Sequence, residues 1–184
     1  MIAILEAGKS INGQTSDLVA AAGSYQPCEY QCILPQSFKE VSPYLFDLSK
    51  NNNNIDPTIT HFNQWLFDQP KFAEWGIFLI SKDSFYTIYN VIRRYINIDY
   101  TNNNIRAYFR VFDPRIFFTF FKSLSNEDKL SFEQCSKSIL VFDFYNKNNI
   151  YTFSFLNEDI TFNTIELDKI KEEKSFDFLY LLTN

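Results

Sequence analysis

Two rhythms of apolar residues run along the chain, and each change of rhythm marks a strand or a helix. Ile2–Leu5 is a short apolar run that predicts a strand, and Asp17–Ala22 a short helical segment. Glu29–Leu34 and Tyr44–Leu48 read as strands bounded by Pro27, Pro35 and Pro43. Asp56-Pro57 sets an N-cap residue before a proline at the first helical position, and Ile59, Phe62 and Leu66 then repeat at helical spacing. Gly76–Ser81 (GIFLIS) is continuously apolar, the pattern of a strand covered on both faces. Asp83 or Ser84 caps the next helix, whose stripe is Phe85, Ile88, Tyr89, Ile92 and Ile96.

Beyond that helix, Ile105–Asp113 alternates Tyr108, Arg110 and Phe112 against Ala107, Phe109 and Val111. This predicts a strand, with Arg110 on the face of Tyr108 and Phe112. Asp113-Pro114 is a second cap-plus-proline helix start, followed by the stripe Ile116, Phe117, Phe120, Phe121 and Leu124. Ser125-x-x-Asp128 has the form of a capping box opening another short helix. Ser138–Tyr145 and Ile150–Leu156 read as a hairpin and Asp159–Leu167 as a further strand; Phe176–Leu182 is apolar, a strand or a docked helix.

Three asparagine clusters, 51–54, 102–104 and 146/148/149, separate apolar segments. No glycine follows Gly76, so asparagine is the residue best suited to left-handed turn positions, and the second and third clusters read as hairpin turns. The expectation is an α/β fold, a mixed sheet flanked by helices, with a short β-rich C-terminal extension. Residues 1–137 form the α/β domain, and residues 138–184 the extension packed on it.

Composition changes this picture mainly by exclusion. The 184 residues carry a net charge of −5, which argues against a nucleic-acid grip. The longest apolar run near Ile116–Phe121 is cut off by Arg115 and Lys122, well short of a membrane span, and Met1–Ile11 lacks the build of a signal peptide. A cytoplasmic protein with no membrane partner is expected. One His, three Cys and four Gly leave little for a metal cage, a histidine-based triad or a glycine-rich phosphate cradle. No enzyme activity, catalytic residue, metal or cofactor is therefore expected. Cys28-x3-Cys32 lacks zinc-knuckle spacing, and with Cys135 these thiols read as small hydrophobes. By contrast, 21 Phe and 11 Tyr fill a dense core, and any surplus favours a binding surface.

All five arginines, Arg93, Arg94, Arg106, Arg110 and Arg115, fall between positions 93 and 115. Arg115 stands in the first turn of a helix, where a cation opposes the helix dipole, so it needs a compensating charge. Three readings of the cluster stand: internal pairing with Asp99, Asp113 or Asp143, a groove that clamps a partner's carboxylates or carbonyls, and a catalytic clamp on an anionic substrate. The lone His61, mid-helix, reads as a surface residue. Trp65 and Trp75, with Phe67 and Phe72 nearby, read as core.

The order of segments carries a resemblance. Pro43-Tyr44-Leu45, Trp75-Gly76-Ile77-Phe78-Leu79, Ile92-Arg93-Arg94 and Phe109-Arg110-Val111-Phe112-Asp113-Pro114-Arg115 follow one another in the chain. This resembles the bacterial type VI secretion effector adaptor (chaperone) family, with its stretches of the form aPYL, WGxFL, LRR and FRxxDPR. The family's first strand commonly reads Leu-Leu-Asp, where this chain has Ile4-Leu5-Glu6. The resemblance implies a non-enzymatic adaptor that binds a toxic effector and loads it onto the VgrG spike. It implies that the hallmark domain contacts effector or spike; the arginine cluster itself sets the expectation that Arg93, Arg94, Arg110 and Arg115 bind a partner, beside a structural corner of Asp113, Pro114 and Trp75. The alternative reading is an immunity protein that neutralises a cognate toxin.

Overall fold

Strand side chains alternate between the two faces of a sheet, and in this protein both faces are apolar. Ile2 and Ile4 face one way, Ala3 and Leu5 the other; Ile77 and Leu79 oppose Phe78, and Ile139 and Val141 oppose Leu140 and Phe142. A sheet with two apolar faces must be covered twice. The computed structural model describes residues 1–6, 16–24, 28–35, 39, 42–48, 62–69, 72–100, 105–146, 148–156 and 159–166.

In chain order the first elements are β1 (Ile2–Glu6), α1 (Ser16–Ser24), β2 (Glu29–Cys32), β3 (Pro43–Asp47), α2 (Phe62–Asp68), a 3-10 turn (Phe72–Glu74) and β4 (Gly76–Ser81). Then follow α3 (Phe85–Ile96), β5 (Asn97–Tyr100), β6 (Ile105–Tyr108), α4 (Pro114–Ser123), α5 (Asn126–Cys135), β7 (Ser136–Phe142), β8 (Asn149–Leu156) and β9 (Asp159–Glu166). Among the described residues, seven strands make one sheet in the order β2-β3-β1-β4-β7-β8-β9, and β5 and β6 form a separate ribbon. The expected α/β class, helix-flanked sheet and β-rich C-terminal strands are all present. Within that class every ladder among the described residues is antiparallel.

Helices α3, α4 and α5 cover the face of Ile2, Ile4, Ile77, Leu79, Ile139 and Val141 with Ile88, Ile92, Phe117, Phe121 and Phe132. Helices α1 and α2 cover the other through Leu18, Ala22, Phe62 and Leu66, with Trp75 beside them. Each fully buried phenylalanine contributes about 1.5–3 kcal/mol. Rings touch across both layers: Phe117 meets Phe153 at 5.5 Å, and Phe72 meets Phe142 at 5.0 Å. Trp75 is buried, as expected of a core tryptophan.

The local start signals read from the sequence hold. The Ser84 hydroxyl accepts from the Thr87 N–H at 3.3 Å to open α3, and the Ser125 hydroxyl accepts from the Asp128 N–H at 3.1 Å to open α5. The strands on either side of residues 101–104 pair with each other, and β7 pairs with β8 across the third asparagine cluster. There the Asn149 N–H donates to the Asn146 carbonyl and the Asn148 N–H to Asn146 Oδ1. The first asparagine cluster, the Asp56-Pro57 cap, His61 and the stretch 167–184 lie outside the described residues.

Two expectations are corrected. The strand read over 105–113 stops at Tyr108, and Asn97–Tyr100, to which the sequence pattern assigned no element, is its partner strand. Val111 and Phe112, at consecutive positions, both pack into the same core layer with α3, α4 and α5, whereas an extended strand would send one to each side. The chain turns instead, closed by the Asp113 N–H donating to the Arg110 carbonyl at 2.9 Å. Arg110 is thus a turn residue and does not share a strand face with Phe112.

Candidate functional site

Helix α4 begins where the turn ends, and its first N–H groups need acceptors. Asp113 supplies one: its Oδ1 accepts from the Arg115 N–H at 3.0 Å, with Pro114 occupying the first helical position. The same carboxylate then takes the Arg115 side chain in a fork, Nε to Oδ1 at 2.8 Å and Nη2 to Oδ2. That pairing answers the unfavourable placement of a cation in the first turn. Asp113 is only 3% exposed, and its hydrogen bond and charge hold the Arg115 guanidinium above its ordinary pKa.

Arg110 approaches the same carboxylate, its Nη2 3.3 Å from Asp113 Oδ2. The same nitrogen lies 2.5 Å from Glu6 Oε2, at the end of β1. Glu6 continues the alternation of Ile2 and Ile4 and so points to the face that carries α4, which is why Arg110 reaches it. The Arg110 Nε is buried without a hydrogen-bond partner among the described residues. Among the described residues, two guanidiniums and two carboxylates make a compact corner of balanced charge.

Two of the other stretches singled out in the sequence, around Pro43 and around Trp75-Gly76, arrive at the same place. In the β1–β3 ladder Glu6 stands opposite Pro43, and its N–H donates to the Trp75 carbonyl at 2.8 Å. Gly76 stands opposite Leu5, so close that a Cβ there would lie 1.7 Å from the Ile4 carbonyl oxygen. Only glycine permits that approach.

Arg93 and Arg94 sit elsewhere, exposed in the last turn of α3, where a cation suits the helix dipole. Neither has an ion pair among the described residues, and neither joins the Glu6–Arg110–Asp113–Arg115 cluster. The side chain of Arg106 lies outside the described residues.

Asp143, weighed as an arginine partner, serves its own turn: Oδ2 accepts from the Tyr151 hydroxyl at 2.6 Å and Oδ1 from the Tyr145 N–H at 2.9 Å. Burial opposes its ionisation, but these bonds and one from the Asn146 N–H outweigh it and hold the carboxyl below its usual range. What approaches Arg115 from this turn is the Phe144 ring, 5.4 Å from the guanidinium carbon. The sequence reading missed both Glu6 and Phe144. Glu6 carried a signal, two residues beyond Ile4 on one strand face; Phe144 carried none.

Other chemistry is sparse. Among the described residues no cluster of His, Cys, Asp and Glu could hold a metal ion. Cys28 and Cys32 lie four residues apart on extended chain, about 13 Å, beyond the roughly 7 Å reach of a disulfide. Cys135 is buried, and burial pushes its thiol up to about 11. A groove of about 210 Å³ between α5 and the β8–β9 hairpin, lined by Lys129, Leu130, Glu133, Phe155 and Ile160, falls below the usual volume of a small-molecule site. No helix among the described residues is long and apolar enough to cross a membrane.

A family model described as a domain of unknown function, DUF4123, matches residues 14–130, well over half of the chain. The chain belongs to the DUF4123 family. Neither the curated proteins nor the solved structures hold a match to it. The DUF4123 match includes Trp75, Arg93, Arg94, Arg110, Asp113 and Arg115, and leaves Glu6 and the Asp143–Asn149 turn outside it.

Proposed function

We propose that this DUF4123 protein is a non-enzymatic adaptor, a cytoplasmic chaperone that binds a type VI secretion effector and loads it onto the VgrG spike. The observation that carries this reading is a convergence. The stretches of resemblance around Pro43, Trp75-Gly76 and Arg110–Arg115 are far apart in the chain, yet all meet at Glu6. A motif set that builds one corner of one fold is stronger support for kinship than the same motifs read singly.

Within this reading the arginines divide the work. Arg110 and Arg115 brace the corner and still show part of their guanidiniums to solvent, being 37% and 41% exposed. Arg93 and Arg94, exposed on the end of α3 and without an ion pair among the described residues, are placed to meet acidic or carbonyl groups of a partner.

Co-purification with the tagged protein from its source bacterium tests the proposal. An adaptor brings down both a large effector and a VgrG protein. Capture of a toxin alone favours an immunity protein, and capture of neither overturns both. The double variant Arg93→Ala/Arg94→Ala is expected to cut capture about tenfold with the melting temperature unchanged.

A further inference from the structure

The turn between β7 and β8 holds an aromatic side chain out into solvent on a fixed base. Tyr145 is 88% exposed, while its backbone is pinned from several sides. Its N–H donates to Asp143 Oδ1, and Asp143 is itself anchored by the Tyr151 hydroxyl. The Asp143 N–H donates to the Asn149 carbonyl at 2.9 Å and the Asn149 N–H to the Asn146 carbonyl at 2.8 Å, closing the turn. Phe144 lies edge-to-face with the Tyr145 ring at 5.4 Å, and the Arg115 guanidinium lies over the Phe144 ring at 5.4 Å.

Single exposed aromatics are common on protein surfaces and need no explanation. Here the ring has company of a particular kind. Asp113 occupies the Nε and Nη2 positions of Arg115, and Nη1 has no hydrogen bond among the described residues. A guanidinium held on one edge presents its other edge in a fixed orientation, matched to a carboxylate. Tyrosine and arginine on rigid backbone lose little entropy on binding, the character of residues that dominate interface energy.

We propose that Tyr145, Phe144 and Arg115 form the centre of a protein-docking surface. Its partner presents a carboxylate to the open edge of Arg115 and an apolar side chain to the face of Tyr145. The inference rests on the adaptor reading in taking the effector or the VgrG spike as that partner. It adds a surface outside the DUF4123 match and separate from Arg93 and Arg94.

The test uses the full chain with a photo-activated benzophenone amino acid at position 145, and at position 86 as a control. Tyr86 is also an exposed aromatic, on α3. Irradiation in the source bacterium is expected to give an adduct from position 145, mapped by mass spectrometry to an acidic segment of the effector or spike, and lost with Arg115→Lys. In capture assays Tyr145→Ala is expected to lower recovery about thirtyfold, and Tyr145→Phe to retain it, with both variants melting like the wild type. An adduct on an acidic segment of some other protein, lost with Arg115→Lys, keeps the docking surface and overturns the adaptor reading. No adduct from position 145, or unchanged capture by Tyr145→Ala beside a wild type that recovers effector and spike, overturns the docking surface and leaves the adaptor reading standing.

Discussion

Glu6 and Arg110 are separated by 104 residues of chain and joined by a 2.5 Å hydrogen bond. The pair ties the end of β1 to the turn that launches α4, so it fastens the sheet to the helical layer above it. Both side chains keep some contact with water, which limits the strength of the link. A double-mutant cycle on Glu6→Gln and Arg110→Gln is expected to give a coupling energy of about 0.5–1 kcal/mol in urea denaturation. Strictly additive effects would remove the link from the account of stability.

Asp113 has the heavier duty, because one buried carboxylate caps α4 and answers two guanidiniums. Asp113→Ala is expected to cost about 2 kcal/mol, the upper end of a cap loss. Asp113→Asn keeps a capping oxygen and gives up the charge, and is expected to cost about half as much, about 1 kcal/mol. Equal losses in denaturant midpoints would mean that the cap contributes nothing beyond the charge.

Gly76 tolerates no side chain, since the added methyl would meet backbone rather than a movable side chain. Gly76→Ala is expected to destabilise the fold by about 3 kcal/mol or more, or to abolish soluble expression. Wild-type melting behaviour in that variant would show that β1 and β4 can part at Leu5 without penalty.

The Asp143 turn gives a signed pH dependence. Its carboxyl sits below the ordinary value of 3.8 in the folded protein. A group depressed on folding adds stability above its unfolded pKa, and that stability fades as the pH falls through the folded value. The turn is therefore expected to loosen only in acid below about pH 4. Carboxyl titration by NMR is the check: Tyr151→Phe removes a donor and should move the Asp143 titration upward, and an unmoved titration would discount the hydroxyl.

What could be read from the sequence was local. Asp113-Pro114 and Ser125-x-x-Asp128 announce helix starts because a cap is settled within three or four residues of chain. GIFLIS announces a strand covered twice because burial on both faces leaves no polar position. The β5 strand was hidden because the stripe of α3 runs unbroken to Ile96, and the alternation after it, Asn97-Ile98-Asp99-Tyr100, is only four residues long and abuts the helix directly. The reading of Arg110 as a strand residue failed because Tyr-Phe-Arg-Val-Phe alternates on paper, while the tight turn that buries both Val111 and Phe112 is a tertiary effect. Glu6 was missed as a site residue for the simplest reason: spacing rules reach a few residues, and its partner is more than a hundred away.

The position of β1 in the sheet bears on how the protein is made. It lies between β3 and β4, yet precedes both in the chain, and its second ladder cannot form until Gly76–Leu79 has been synthesised. At about 5–20 residues per second, the Ile2–Leu5 segment waits about 4–14 s for that partner. During that interval an apolar strand with an open edge is exposed to whatever else is nearby. Translation rate and chaperone supply are thus expected to govern the yield of folded protein more than the stability of the finished sheet does.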